Sequence, residues 1–353
     1  MITAVLTAAF AAALSPGRQA ALRDAQDRSA SEARQRFKAA LTTTDRYPQP
    51  IELATLLAAE EELDASPDDV MADVASQLDA MAEQAQRRLR LSSLLDDTAG
   101  DGADHKAQRT ALCVSRTLFG HTGAPDDDGG SPAESGFFAG NVDDYYDMRN
   151  SFLPDVLRRK QGIPISLSLV YIGTCERLGL PMVGLNAPAH LLIAPSDTTL
   201  PFAVDAFDGG TVLTAEATEL MLVTNAERSG MPLSGDLRDG ARMMAELRER
   251  PMTSHAWVAR MLRNLRQIHG ASGDVVRTLG VAERLRLVGA TRPDATSEAE
   301  QLECAMQVAL CIFALRWEER RDEAREIILT HLPRVSADAR VRFEALLRYS
   351  WFS

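Results

Sequence analysis

Gln161-Gly162-Ile163-Pro164-Ile165-Ser166-Leu167-Ser168-Leu169-Val170-Tyr171 holds both the start and the interior of one helix. Gly162 ends what precedes it, and Pro164 presets a first helical turn at the position where its missing N–H costs nothing. From Ile165 through Leu167, Leu169, Val170, Ile172 and Cys175 to Leu178 the helix is apolar on most faces, which predicts burial all round. Upstream, Asn150 and Ser151 suit the N-cap of a helix running to Arg158-Arg159-Lys160, whose charge complements the helix C-terminus. Downstream, the turn Arg177-Leu178-Gly179-Leu180-Pro181 leads into three short apolar runs. These are Met182 to Asn186, Ala187 to Ala194 with His190 at its start, and Phe202 to Gly210 containing Asp205. Three strands are predicted, the second and third forming a hairpin across Pro195 to Pro201. The outcome is an α+β, predominantly helical fold in which one central helix packs on a small antiparallel sheet.

Further out, Ile51, Leu53, Leu56, Leu57, Ala58 and Leu63 recur at helical spacing, and Val70, Val74, Leu78, Met81 and Ala85 repeat the pattern. Ala111, Leu112, Val114, Leu118 and Phe119 give a third amphipathic helix, set between Gly- and Asp-rich loops over Asp96 to His105 and Gly123 to Gly136. The run Asp126-Asp127-Asp128-Gly129-Gly130 lacks the alternating ligands and closing Glu of a calcium loop, so it reads as a solvated insertion and not a metal site. Past Thr214 a helix carries Leu220, Met221 and Leu222, and Ser229-Gly230 with Ser234-Gly235 marks a loop. Five apolar stripes follow residue 250: Trp257 to Ile268 closed by Gly270, Val275 to Leu287, Leu302 to Trp317, Ala324 to Leu332, and Val341 to Tyr349. Their short connections fit stacked tetratricopeptide-like pairs, although no clean repeat of about 34 residues stands out, so a generic helical bundle fits nearly as well. The chain is thus divided into an extension over 1–50, a core over 51–249 and a helical region over 250–353.

With 45% hydrophobic and 25% charged residues in 353, the composition excludes a wholly disordered chain, a collagen-like fibre and a membrane bundle. Lys plus Arg number 38 against 50 Asp plus Glu, a net charge of -12, so no nucleic-acid partner and no membrane surface is expected. No run reaches the roughly 18 apolar residues of a spanning helix. Cys113, Cys175, Cys304 and Cys311 lie apart in apolar helical stretches and read as buried thiols of a cytoplasmic or other reducing compartment, with no disulfide frame, metal site or cofactor. Cys304 and Cys311 share a helix face, as packing and not as a redox pair. Ile2 to Leu14, ending at Ser15-Pro16-Gly17, is similar to the apolar core of a targeting segment but has no basic residue ahead of it. Organelle import and a plain terminal helix both stay open, and residues 18–46 read as an exposed helix or loosely attached extension.

The order of a Gly-led buried helix, a strand His and a following strand Asp resembles the transglutaminase-like, papain-type core. Arg149-Asn150-Ser151-Phe152-Leu153, the run Gly162 to Tyr171, Pro188-Ala189-His190-Leu191-Leu192 and Asp205-Ala206-Phe207-Asp208-Gly209-Gly210 together resemble the SirB-type family of that superfamily. Tetratricopeptide-like helices follow the core in that family. Two positions depart from the pattern: Ala189 stands where Gly is usual, which removes backbone freedom, and Ala206 where Pro is usual.

In active members the resemblance implies a Cys at the start of the central helix that attacks an acyl carbon, a His base and an Asp that orients it. The usual spacing puts that Cys position at Pro164, which offers neither a thiol nor an N–H. His190 and Asp205 are then a vestigial pair, either a structural hydrogen bond or part of a binding pocket bordered by Arg149, Asn150 and Pro164. Ser166 is the candidate for an atypical nucleophile, since Ser166, His190 and Asp205 follow the chain order of a triad. It lies about 200° around the helix from Pro164, whereas Ser168 is near the same face one turn deeper and Cys175 about three turns away. The Arg158-Arg159-Lys160 cluster reads as a solvated helix end in preference to an anion site. The expected function is a non-catalytic binding or scaffold module for a protein or peptide partner engaged by the C-terminal helices. The alternative is a hydrolase or acyltransferase with a Ser nucleophile and the His190–Asp205 pair.

Overall fold

The computed structural model describes residues 32–42, 49–61, 65–95, 102–120, 136–230 and 240–348. The N-terminal apolar run, the acidic run Asp126 to Gly130 and the Ser234-Gly235 loop lie outside the described residues. The described residues form two compact units, one drawn from 49–58, 65–95, 102–120, 136–230 and 240–253, the other from 32–42, 59–61 and 254–348.

In chain order the first unit contains α1 (Pro50–Ala59), α2 (Pro67–Leu95), α3 (Ala103–Phe119), β1 (Ala139–Gly140), α4 (Leu153–Arg159), β2 (Gln161–Gly162) and α5 (Pro164–Arg177). Strands β3 (Met182–Leu185), β4 (Leu192–Pro195), β5 (Phe202–Asp205) and β6 (Thr211–Thr214) follow, then α6 (Ala215–Arg228) and α7 (Gly240–Glu249). Helix α5 starts where Ile163, in extended conformation, serves as N-cap and Pro164 takes the first turn. Every residue from Ile165 to Cys175 is buried. At Gly173 an added Cβ would stand 2.8 Å from Ile51 and 3.0 Å from Leu78, so the close approach of α1 and α2 to the central helix needs a residue without a side chain.

The four main strands form one antiparallel sheet in sequence order. All positions of β4 and β5 are buried, so both sheet faces are covered. Leu192, Ala194 and Ala203 pack with Leu222 and Ala226 of α6 and Met243 and Met244 of α7. Arg248 ties α7 to the sheet by donating to the carbonyls of Leu200 and Phe202, both at 2.9 Å.

Several local expectations are corrected. The helix expected to begin at Asn150 or Ser151 begins at Leu153, with Phe152 at its N-cap and Pro154 in its first turn, and residues Met148–Asn150 form a separate 3-10 turn. That helix ends at Lys160, which is left-handed (φ 54°). Gly162 is therefore a strand residue, paired in parallel with Gly140. The expected second strand starts only at Leu192, leaving His190 in the loop before it, and β6 was not foreseen.

The second unit has α8 (Ser254–Ser272), α9 (Val275–Thr291), α10 (Glu298–Ala314), α11 (Arg321–His331) and α12 (Ala337–Leu347). From α8 to α11 each helix packs on the next through short connections. Gly270 lies inside α8 and is no cap, since the left-handed residue after the helix is Gly273 (φ 70°). Residues 32–42 are not an exposed extension over their length, because Ala33, Phe37 and Leu41 are buried. All four cysteines are free and buried. Among the described residues no helix is long and apolar enough to cross a membrane.

Candidate functional site

The loop between β3 and β4 turns through Ala187, whose carbonyl accepts the N–H of His190 at 3.1 Å. Ala189 sits in the left-handed region (φ 52°), a conformation costing a side-chain-bearing residue about 1 kcal/mol and a glycine almost nothing.

Asp205 closes β5 and is buried. Its Oδ1 accepts the backbone N–H groups of Phe207 and Asp208, both at 3.1 Å, so the following turn fixes the carboxylate. Its Oδ2 lies 2.6 Å from His190 Nε2. Since an ionised carboxylate only accepts, Nε2 is the protonated ring nitrogen in the neutral imidazole. The turn beyond is locked from below: Ser115 donates to the Gly210 carbonyl, and Tyr171 of α5 donates to the Ala111 carbonyl at 2.7 Å while meeting Ser115 at 3.1 Å. Gly210 (φ 71°) is obligatory here, as a Cβ would fall 2.5 Å from Phe119.

At the start of α5 the side chains are equally committed. Over Gly162 to Cys175, Pro164 is the one residue that is not buried. Ser166 accepts the Ile163 N–H at 3.1 Å and donates to the Asn150 carbonyl at 2.6 Å. Its single hydroxyl proton is thus engaged inside a fully buried cap. Ser168 is buried, and its Oγ has no hydrogen-bond partner among the described residues. Burial pushes the Cys175 thiol well above the ordinary range, keeping it protonated and unreactive.

Asn150 is completely buried, and both ends of its amide are used. Nδ2 donates to the carbonyls of Asp144 (2.8 Å) and Tyr145 (3.2 Å), and Oδ1 accepts from Asn141 Nδ2 (3.1 Å) and Arg159 (3.3 Å). Arg149 is held by Asp147, with contacts at 2.6 to 3.0 Å. Burial alone would raise the Asp147 carboxyl, but the bonds from Arg149 and the charges of Arg159 and Arg149 outweigh it and hold the carboxyl below its usual range. The basic cluster is no simple solvated end: Arg158 pairs with Asp155 and Arg159 with Asp147. The Lys160 ammonium lies 4.3 Å from the centre of the Phe138 ring, and burial lowers its pKa.

The structure therefore joins His190 to Asp205 and Ser166 to Asn150, and directs Arg149 to Asp147. Asn141, Asp147, Ser115 and Tyr171 were not singled out by sequence reasoning. Asp147, two residues ahead of Arg149 and capping the 3-10 turn, carried a readable signal, whereas the other three act through contacts distant in the chain.

Residues 72–263 match the transglutaminase-like superfamily. A UPF0162 protein of Xylella fastidiosa is 35% identical over 159 residues, covering 45% of this chain and 53% of that protein. A UPF0162 protein of Pseudomonas aeruginosa is 30% identical over 190 residues, 52% of this chain and 60% of that one. F-box only protein 21 of Mus musculus is 37% identical over 93 residues, 24% of this chain and 15% of its own length. The chain thus spans about half the length of the first curated relative it matches. No solved structure matches it.

Proposed function

The chain belongs to the transglutaminase-like superfamily, and from that premise we propose that it is a SirB-type member that binds a protein or peptide segment without turning it over. The observation that carries this is Pro164, which starts the central helix and is the one residue between Gly162 and Cys175 that is not buried, in the position where the resemblance implies a nucleophile. A ring nitrogen without an N–H supplies neither the attacking atom nor an oxyanion donor, and each is worth orders of magnitude in rate. The alternative nucleophile, Ser166, is weakened as a reading by its buried cap bonds to Ile163 and Asn150. In this proposal His190, a quarter exposed and oriented by Asp205, is a binding group for a polar atom of the partner. The helices of the second unit, tetratricopeptide-like in this reading, offer further surface to the same protein partner. Nucleic acid and lipid are not proposed, given the acidic charge balance.

The test uses the full chain with a fluorophosphonate and a thiol-directed acyl probe, read by intact mass. The expected result is no adduct on the folded protein, with His190→Ala indistinguishable from the parent. A stoichiometric adduct on a Ser or Cys that disappears in His190→Ala would overturn the proposal.

A further inference from the structure

Between β1 and α4 the chain makes a tight excursion over residues 141–150 that is anchored with unusual thoroughness. The Asn141 N–H donates to the Gly162 carbonyl at 2.8 Å, and Asn141 Oδ1 accepts the Asp144 N–H at 3.0 Å. The Asn150 amide holds the carbonyls of Asp144 and Tyr145, and its own carbonyl receives Ser166 Oγ. Asp147 N–H closes on the Asp144 carbonyl at 3.2 Å. Two buried asparagines thus fix a short loop to the first turn of the central helix.

The top of this rigid loop carries large apolar groups in solvent. Val142 is 75% exposed and Tyr146 54% exposed, the latter meeting Tyr145 edge to face with ring centroids 5.3 Å apart. Around them Asp143 and Asp144 are exposed, and neither carboxylate forms a salt bridge among the described residues. Scattered exposed apolar residues are ordinary on any surface. This pair differs in being held on a preorganised frame, which lowers the entropic cost of docking, and in standing beside the exposed carboxylates of Asp143 and Asp144, the second of which is offset in part by Arg149.

We propose that the Val142–Tyr146 loop is a docking epitope for a protein segment that sets a basic side chain beside an aliphatic or aromatic one. Lysine or arginine of the partner would pair with Asp143 and Asp144 while its apolar side chain covers Val142 and Tyr146. Tyrosine is well suited to such a centre because it brings large area with little side-chain freedom to lose. The proposal does not depend on whether the core is catalytic.

The experiment selects a displayed random dodecapeptide library on the full chain and measures the winning synthetic peptides by fluorescence anisotropy. The expected winners contain Lys or Arg next to Leu, Ile, Phe or Trp, and bind at least tenfold more weakly to Val142→Ser/Tyr146→Ser. They also bind severalfold more weakly to Asp143→Asn/Asp144→Asn, and weaken with added salt. Both double variants change exposed side chains alone, and unchanged thermal midpoints confirm that they are folded. His190→Ala serves as the arm that separates this epitope from the proposed cleft, and it should leave affinity unchanged. Acidic winners, binding indifferent to the Val142/Tyr146 change, or no selectable peptide would each overturn the proposal.

Discussion

Replacing Pro164 by Cys tests the relation between the central helix and the His190–Asp205 pair directly. Position 164 is the first residue of α5 and partly exposed, at the end of the helix where the macrodipole favours an anion. A thiol at such a helix end falls from about 8.5 to about 7 or below. At pH 6 the thiolate fraction then rises from about 0.3% to about 9%, roughly 30-fold. Intrinsic nucleophilicity falls with pKa along a slope of about 0.45, which takes back about fivefold, so alkylation should be about sixfold faster than in an unstructured peptide carrying the same Cys. The four native thiols are buried and give a silent background in the folded protein. Losing the preset proline angle costs about 0.4–1 kcal/mol.

The assay is iodoacetamide labelling of Pro164→Cys across pH 5 to 9, followed by mass spectrometry, against a free peptide of residues 160–168 with the same substitution. If the papain-type relation holds, the profile has a midpoint near or below about 7, and adding His190→Ala moves it upward and slows labelling at pH 6 at least threefold. A midpoint near about 8.5 in both variants would refute the placement of the former nucleophile at residue 164, and with it the reason for calling the core inert.

Asp205→Ala removes three accepted hydrogen bonds from a buried carboxylate and should cost about 2–3 kcal/mol in urea unfolding. His190→Ala, losing one partly exposed partner, should cost no more than about 1 kcal/mol; equal losses would reverse that assignment. His269 should give the second unit a pH-dependent stability. Burial, reinforced by Arg277 and opposed by Asp274, lowers its folded pKa to about 4 from 6.5. The unfolded chain therefore binds more protons between these values, so the contribution is complete above about pH 6.5 and is lost as pH falls toward about 4, amounting to at most about 3 kcal/mol. Urea midpoints at pH 4.5 and 7 check this, and His269→Asn should flatten the difference; an unchanged slope would mean that His269 is not the buried neutral group.

Much of the fold could be read because it rests on backbone chemistry confined to a few residues. Pro164 and the apolar run behind it specify α5, and the turn at Gly179 and the short apolar runs specify β3 to β5. What escaped were features set from a distance. Asn150 has the composition of a helix cap, but burial and partners at Asn141, Asp144 and Arg159 claim its amide, while Pro154 marks the true first turn. The β1–β2 pairing uses two residues per strand and backbone groups alone, so side-chain patterning cannot announce it. Strand β6 is only half buried and lacks a clean alternation. The helix over 32–42 did leave a signal, since Ala33, Phe37 and Leu41 are four apart, but its abundant charged and polar neighbours masked that face. At the site, the family resemblance implied the Asp205–His190 pairing, whereas nothing in the sequence announced the occupation of Ser166 by Asn150.

The two members of the pair also differ in what keeps them in place. Asp205 would be retained by folding alone, because two turn N–H groups need its carboxylate whether or not an imidazole is present. His190 is placed differently: its side chain is a quarter exposed, and the loop that carries it has a left-handed alanine immediately before it. A ring held at 2.6 Å by a prepositioned carboxylate and still a quarter exposed presents a fixed edge to solvent. In the proposed binding role the oriented ring supplies one hydrogen bond to the partner, a role that a donor or an acceptor can fill. Replacement of His190 by Gln, which keeps a polar head without the imidazole, should therefore retain partner binding to within about tenfold, whereas general-base chemistry in a hidden enzyme would fall by about 10²–10⁴.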